Sequence, residues 1–217
     1  MIQHTVSGTV YGVVLNDHAS LRNIGAALQE APYKGAPKAP AMYLKPANTH
    51  AASGAAVALP RGAASVEVGA TLGLVLGRAA ARLSREEALG ALAGIVLAGD
   101  LSLPHASYYR PAIREKCFDG ALPLGRVQPL VDLAALVLTT EIDGQIAQQR
   151  SLADLVRDPA QLLADVSEFM TLAQGDVLLV GVSYQAPQAA VGSRVKISAE
   201  GVGSLEFSIT APEGVPA

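Results

Sequence analysis

Between residues 66 and 76, Glu67, Gly69, Thr71 and Gly73 alternate with Val68, Ala70, Leu72, Leu74 and Leu76. This two-residue period predicts a strand with one continuous apolar face. β-Branched and apolar runs predict further strands over 8–15, 42–44, 136–142, 177–182, 194–199 and 205–209. The period becomes helical after Asn16-Asp17, which are placed to cap a helix over 19–30. It does so again after Ser84, where Ser84 and Glu87 form a capping-box pattern ahead of Ala88, Leu89 and Leu92. Leu152, Leu155, Leu162, Leu163, Val166 and Phe169 also recur at helical spacing, and Asp158-Pro159 divides that stretch into two helices. Asp143-Gly144 is a favoured hairpin turn, and Pro60-Arg61-Gly62 marks a turn in a small-residue loop over 51–64. Strands and helices do not alternate regularly, so the pattern predicts an α+β fold rather than a doubly wound sheet. With no internal repeat and no linker, residues 1–217 read as a single domain. About residues 1–40 form an N-terminal or lid segment, in which 34–40 is either a mobile lid or a plain exposed loop.

Composition narrows the function classes. The chain has 217 residues, 50% hydrophobic and 16% charged, enough to bury a sizeable core. A net charge of −3 with no long basic run argues against binding nucleic acid or anionic lipid through charge. The apolar run over 88–98 is broken by Gly90 and Gly94 and falls short of the roughly 20 residues needed to cross a bilayer, so no membrane span is expected. The first residues lack the pattern of a signal peptide, which makes the cytoplasm the expected location. The single Cys117 excludes an intramolecular disulfide and reads as a small hydrophobe.

Most enzyme signatures are missing. There is no phosphate-binding loop, and Gly201-Val202-Gly203 lacks the rest of a dinucleotide fingerprint. His50 and His105 have no metal-ligand spacing with each other or with Cys117. Ser102 and Ser183 lack the setting of an activated nucleophile.

A series of short motifs carries more information. Leu44-Lys45-Pro46 resembles F-x-K-P, Leu74-Val75-Leu76-Gly77 resembles V-V-I-G, and Gly99-Asp100-Leu101-Ser102 resembles N-D-x-S. Tyr108-Tyr109-Arg110-Pro111, followed by Arg114, Lys116, Asp119 and Gly120, resembles Y-Y-R-P-x-x-R-x-K-x-x-D-G. Leu172 with Gly175-Asp176-Val177, and Glu200-Gly201-Val202-Gly203 with Leu205, complete the order. Together these resemble the fumarylacetoacetate hydrolase family, and most specifically its homoprotocatechuate-pathway branch.

The resemblance implies a mixed β-sandwich roll with flanking helices. It also implies decarboxylation of 5-oxopent-3-ene-1,2,5-tricarboxylate and isomerisation of 2-hydroxyhepta-2,4-diene-1,7-dioate. In the family Mg²⁺ or Mn²⁺ stabilises the enolate of a chelated 2-oxo acid as a Lewis acid. Asp100 is the implied metal ligand, while Arg110 and Lys116 are the implied contacts to the carboxylates of a small di- or tricarboxylate substrate. The implied assembly is a homodimer or a heterodimer with a homologous subunit.

The chain departs from the family at several of these positions. Gly69 and Thr71 stand where the family has the E-x-E carboxylates, and Glu67 is offset by about 7 Å along the strand. Ser20 and Asn23 replace the His and Glu of the family lid, His18 is out of register, and Val180-Gly181-Val182 replaces T-G-T. Two readings follow. In one the chain is an enzyme subunit whose metal is supplied or completed by a paired subunit. In the other it is a catalytically silent, metal-free partner of an active homologue.

Overall fold

The computed structural model describes residues 6–31, 33–105 and 112–212. The first third contains β1 (Val10–Val14), α1 (His18–Ile24), β2 (Ala41–Lys45), β3 (His50–Ala52), β4 (Ala56–Ala58) and β5 (Ser65–Leu76). The middle contains α2 (Arg85–Ala88), β6 (Leu92–Ser102), α3 (Ile113–Lys116), β7 (Leu122–Leu124), β8 (Val137–Ile142) and β9 (Gln145–Ser151). The chain continues through α4 (Pro159–Phe169), β10 (Val177–Leu179), β11 (Gln188–Ala190), β12 (Arg194–Ala199) and β13 (Gly203–Thr210).

Local chemistry explains most boundaries. Asp17 caps α1 by accepting from the Ser20 amide at 2.7 Å, and Gly25, at φ 57, ends it after two turns. The helix expected over 19–30 is therefore α1 followed by a 3₁₀ turn over Gly25–Gln29. The Ser84–Glu87 capping box is formed in both directions, but α2 is only four residues long. The apolar stretch after it leaves the helix through a 3₁₀ turn and runs as β6 along nearly the whole of β5, so sheet pairing overrides the helical signal. Asp158 caps α4 with Pro159 in its first turn, whereas the helix expected before it is only a 3₁₀ turn at Leu152–Asp154. Asp143 (φ 53) and Gly144 (φ 79) make the expected tight turn between β8 and β9. The three-residue strands β3, β4, β7 and β11 and the polar strand β9 lie outside the strands that the sequence predicts.

Among the described residues there are two sheets. One has eight strands in the order β2-β1-β10-β5-β6-β7-β3, with β11 added beside the start of β5; the other has the order β4-β13-β12-β8-β9. The apolar face of β5 packs with Ile197, Leu205, Phe207 and Ile209 of the second sheet and with Leu162, Leu163 and Val166 of α4. A smaller core on the other side gathers Val10, Val75, Val96, Ala98, Leu122, Val177 and Leu179. Three strands separate β2 from β6 in the sheet order, yet side chains of β2 touch β6. The sheet therefore curls into a roll around the smaller core, as expected of an α+β roll. β1, within the segment read as a lid, is an interior strand of this sheet. No helix among the described residues is long and apolar enough to cross a membrane.

Candidate functional site

On adjacent strands β5 and β6, Glu67 pairs with Ser102, Gly69 with Asp100 and Thr71 with Ala98. Residues paired across a ladder share a face, so these six line the inside of the roll. Asp100 is buried there and is met from β2, because Tyr43 and Lys45, two residues apart, point the same way. Tyr43 donates its hydroxyl to Asp100 Oδ2. Its ring crosses β1 at Gly12, where a Cβ would come within 2.1 Å of it. Lys45 Nζ lies 2.6 Å from Asp100 Oδ1 and donates to the carbonyls of Leu101, Lys116 and Ala121 at 2.7–3.0 Å. Lys116, delivered by α3, places Nζ 3.3 Å from Asp100 Oδ2 and 4.6 Å from the centre of the Tyr43 ring.

The electrostatics follow from this packing. Burial works against a charged Asp100, but Lys116, Lys45 and the Tyr43 hydroxyl outweigh it and hold the carboxyl below its usual range. Burial lowers the Lys45 ammonium to about 8, against the pull of Asp100. One carboxylate is thus shared by two ammonium groups and a phenol.

The neighbouring positions offer no second anion. A Cβ on Gly69 would lie 2.8 Å from both the Asp100 carbonyl oxygen and Val182 Cγ1. Thr71 is buried and donates Oγ1 to the Gly181 carbonyl at 2.6 Å. The same carbonyl accepts from Arg150 Nη1 at 2.7 Å, while Arg150 Nη2 lies 3.8 Å from Asp17. No group of three or more His, Cys, Asp or Glu among the described residues could hold a metal ion. A divalent cation needs several oxygen ligands, and here it would have to displace two ammonium groups from Asp100. The residues present do not fit a resident Mg²⁺ or Mn²⁺.

The structure unites some of the residues singled out in the sequence and separates others. Asp100 and Lys116 are in direct contact, whereas Arg110 lies outside the described residues. Arg114 is exposed, and Asp119-Gly120 forms a turn tied to Asn48 through its side chain and carbonyl. His18 and Asn23 are exposed. Ser20 is buried as a structural link, donating to Asp17 and accepting from the Tyr184 amide, both at 2.7 Å. Sequence reasoning missed the roles of Tyr43, Lys45 and Arg150. The same-face spacing of Tyr43 and Lys45 was a readable signal, but Arg150 sits in a polar strand that gave none.

Glu67 opens onto a different feature. With His105, Tyr184, Gln185 and Gln188 it lines a cavity of about 670 Å³. Burial raises the Glu67 carboxyl, while the charges of His105 and Lys116 pull it back down.

With this geometry in view, the family model described as fumarylacetoacetate (FAA) hydrolase C-terminal matches residues 9–210. The chain belongs to the fumarylacetoacetate hydrolase family. It is 40% identical over 201 residues to the 4-hydroxyphenylacetate degradation bifunctional isomerase/decarboxylase of Escherichia coli, covering 93% of this chain and 47% of that protein. The chain spans about half the length of the curated bifunctional relatives it matches. Its fold is similar to that of 5-carboxymethyl-2-hydroxymuconate delta-isomerase from Mycobacterium smegmatis, with a TM-score of 0.81 at 26% identity, covering 95% of this chain and 78% of that one. It also resembles fumarylpyruvate hydrolase from Pseudomonas aeruginosa, a structure in complex with Mn²⁺ and pyruvate, with a TM-score of 0.80 at 22% identity over 94% of this chain and 90% of that one. This likeness establishes a shared fold; the ligands belong to the Pseudomonas protein.

Proposed function

We propose that this chain is one unit of a 4-hydroxyphenylacetate-degradation isomerase/decarboxylase. Its substrates on this reading are 5-oxopent-3-ene-1,2,5-tricarboxylate and 2-hydroxyhepta-2,4-diene-1,7-dioate. The observation that carries the proposal is 40% identity over nearly the whole chain to a relative named for those two activities. Lys116, whose side chain is 7% exposed beside Asp100, supplies a fixed positive charge for a substrate carboxylate. Arg110 joins it as the second contact. The unit pairs with a copy of itself or with a homologous unit, consistent with relatives about twice its length. Metal-dependent stabilisation of the enolate formed on decarboxylation belongs to a paired homologous unit that has the carboxylates this chain lacks.

A second reading is favoured by the contacts of Asp100. Lys45, Lys116 and Tyr43 already surround the carboxylate that the family resemblance assigns to metal, which is what a catalytically silent, stabilising partner would look like. Calorimetry of the purified chain with 2-hydroxyhepta-2,4-diene-1,7-dioate, followed by sedimentation, separates the readings. Saturable binding supports an enzyme unit. Self-association or pairing without binding supports the silent partner, and a monomer that binds nothing at millimolar ligand sinks both.

A further inference from the structure

Glu67 is held on the two sides of its strand, opposite Ser102 on β6 and opposite Gln188 on β11. A side chain at the middle of three paired strands is positioned more precisely than one on a loop. The cavity it faces is bounded on the far side by Tyr184, Gln185 and Ala186. Gln185 has φ 54, a left-handed conformation unusual for a residue other than glycine, and strain of this kind clusters at ligand-binding loops. His105 enters from the end of β6 with its ring orientation fixed. Nδ1 lies 3.0 Å from the Leu103 carbonyl, which can only accept, so Nδ1 carries the hydrogen. The cavity thus joins a carboxyl, an imidazole and side-chain amides, and the Lys116 charge is near enough to act on the carboxyl.

We propose that this cavity is a metal-independent tautomerase site, in which Glu67 is the proton donor to carbon for a 2-hydroxy-2,4-dienoate. This rests on the reading of the chain as an isomerase/decarboxylase unit and assigns it the isomerisation step. The substrate's 2-hydroxyl proton goes to water, and its electron pair forms the C2 carbonyl. The C2–C3 π pair moves to C3–C4, and the C4–C5 π pair takes the proton of Glu67 at C5. Glu67 then recovers a proton from solvent, so no oxidant, reductant or co-reactant is consumed. Burial raises the Glu67 carboxyl, which favours its acid form, and the nearby Lys116 charge offsets the negative charge left after the proton is given up.

The test uses the full chain with 2-hydroxyhepta-2,4-diene-1,7-dioate in excess EDTA. Loss of dienol absorbance and NMR of the product formed in D₂O are followed together. The expected result is ketonisation at least ten-fold above buffer, with one enantiomer of the C5-deuterated product in excess. Glu67→Gln should bring the rate down at least ten-fold while calorimetric binding of the dicarboxylate is retained, and Glu67→Asp should restore part of it. Ketonisation at the buffer rate despite binding, racemic deuteration, abolition by EDTA, or a folded Glu67→Gln at full rate each overturns the proposal. The first of these leaves the broader functional reading standing, whereas a chain that does not bind the dicarboxylate removes both. Should Glu67→Gln fail to fold, the stereochemistry and EDTA response of the unaltered chain still decide.

Discussion

Val182 occupies the space that a side chain at Gly69 would need: a Cβ at position 69 would lie 2.8 Å from its Cγ1 and equally close to the backbone oxygen of Asp100. The site therefore cannot regain a carboxylate at 69 by one substitution. Gly69→Ala is expected to cost about 1–3 kcal/mol through overpacking, and Gly69→Glu more. Urea unfolding of both variants checks this. If Val182 is the obstacle, Val182→Ala in the Gly69→Ala background will recover part of the loss, with the contact to backbone left unrelieved.

Asp100→Ala leaves the ammonium groups of Lys45 and Lys116 buried without their shared carboxylate. Removing one side of a buried ion pair typically costs about 3–5 kcal/mol, and a loss of that order is expected in chemical denaturation. Lys116→Met should cost less, because Lys45 still lies 2.6 Å from Asp100. Equal losses from Lys116→Met and Asp100→Ala would show that Lys45 does not carry the pair.

Burial places the Lys45 ammonium near 8 in the folded chain, against 10.5 for an ordinary lysine. Between those values the unfolded chain binds a proton that the native chain does not, so stability contributed by this group rises with pH across that window. Asp100 has the opposite acid-side behaviour. Its depressed folded value contributes stability above the unfolded value of 3.8, and that contribution is lost as pH falls through the folded one. The difference in unfolding free energy between the unaltered chain and Lys45→Met, measured at pH 7.5, 9 and 10.5, should shift toward the unaltered chain with rising pH. A difference that stays constant would place the Lys45 titration outside this window.

Mg²⁺ or Mn²⁺ titrated into the chain with oxalate, a mimic of a chelating 2-oxo acid, is expected to give no binding heat up to millimolar ion. Oxalate-dependent binding that disappears in Asp100→Ala would instead show that the carboxylate can leave its lysines for a metal.

The sequence revealed the elements whose neighbours are local and left obscure those defined by distant chain. The alternation over 66–76, the Ser84–Glu87 capping box and the Asp143-Gly144 turn are short-range patterns, and all three are present. The apolar stretch 88–98 reads ambiguously alone, and its pairing with β5 decides it. β9 and β11 are polar strands whose partners supply the only reason for their conformation. In the site, the vacancies at Gly69 and Thr71 were visible as letters. What stands around Asp100 was not, because Lys45 and Lys116 reach it from 55 and 16 positions away through the curl of the sheet. His105 lacked any metal-ligand spacing, and its place beside Glu67 emerges only when β6 lies against β5.

Arg150 belongs to the second sheet, yet its guanidinium bonds the Gly181 carbonyl and approaches that of Ala70 in the first. A single side chain thereby rivets the two layers together at the floor of the roll. Shear between the layers would have to break charged hydrogen bonds of a buried guanidinium, so the layers are expected to open as one unit, and amide hydrogens of β9 should exchange in step with those around Gly181 despite the edge position of β9.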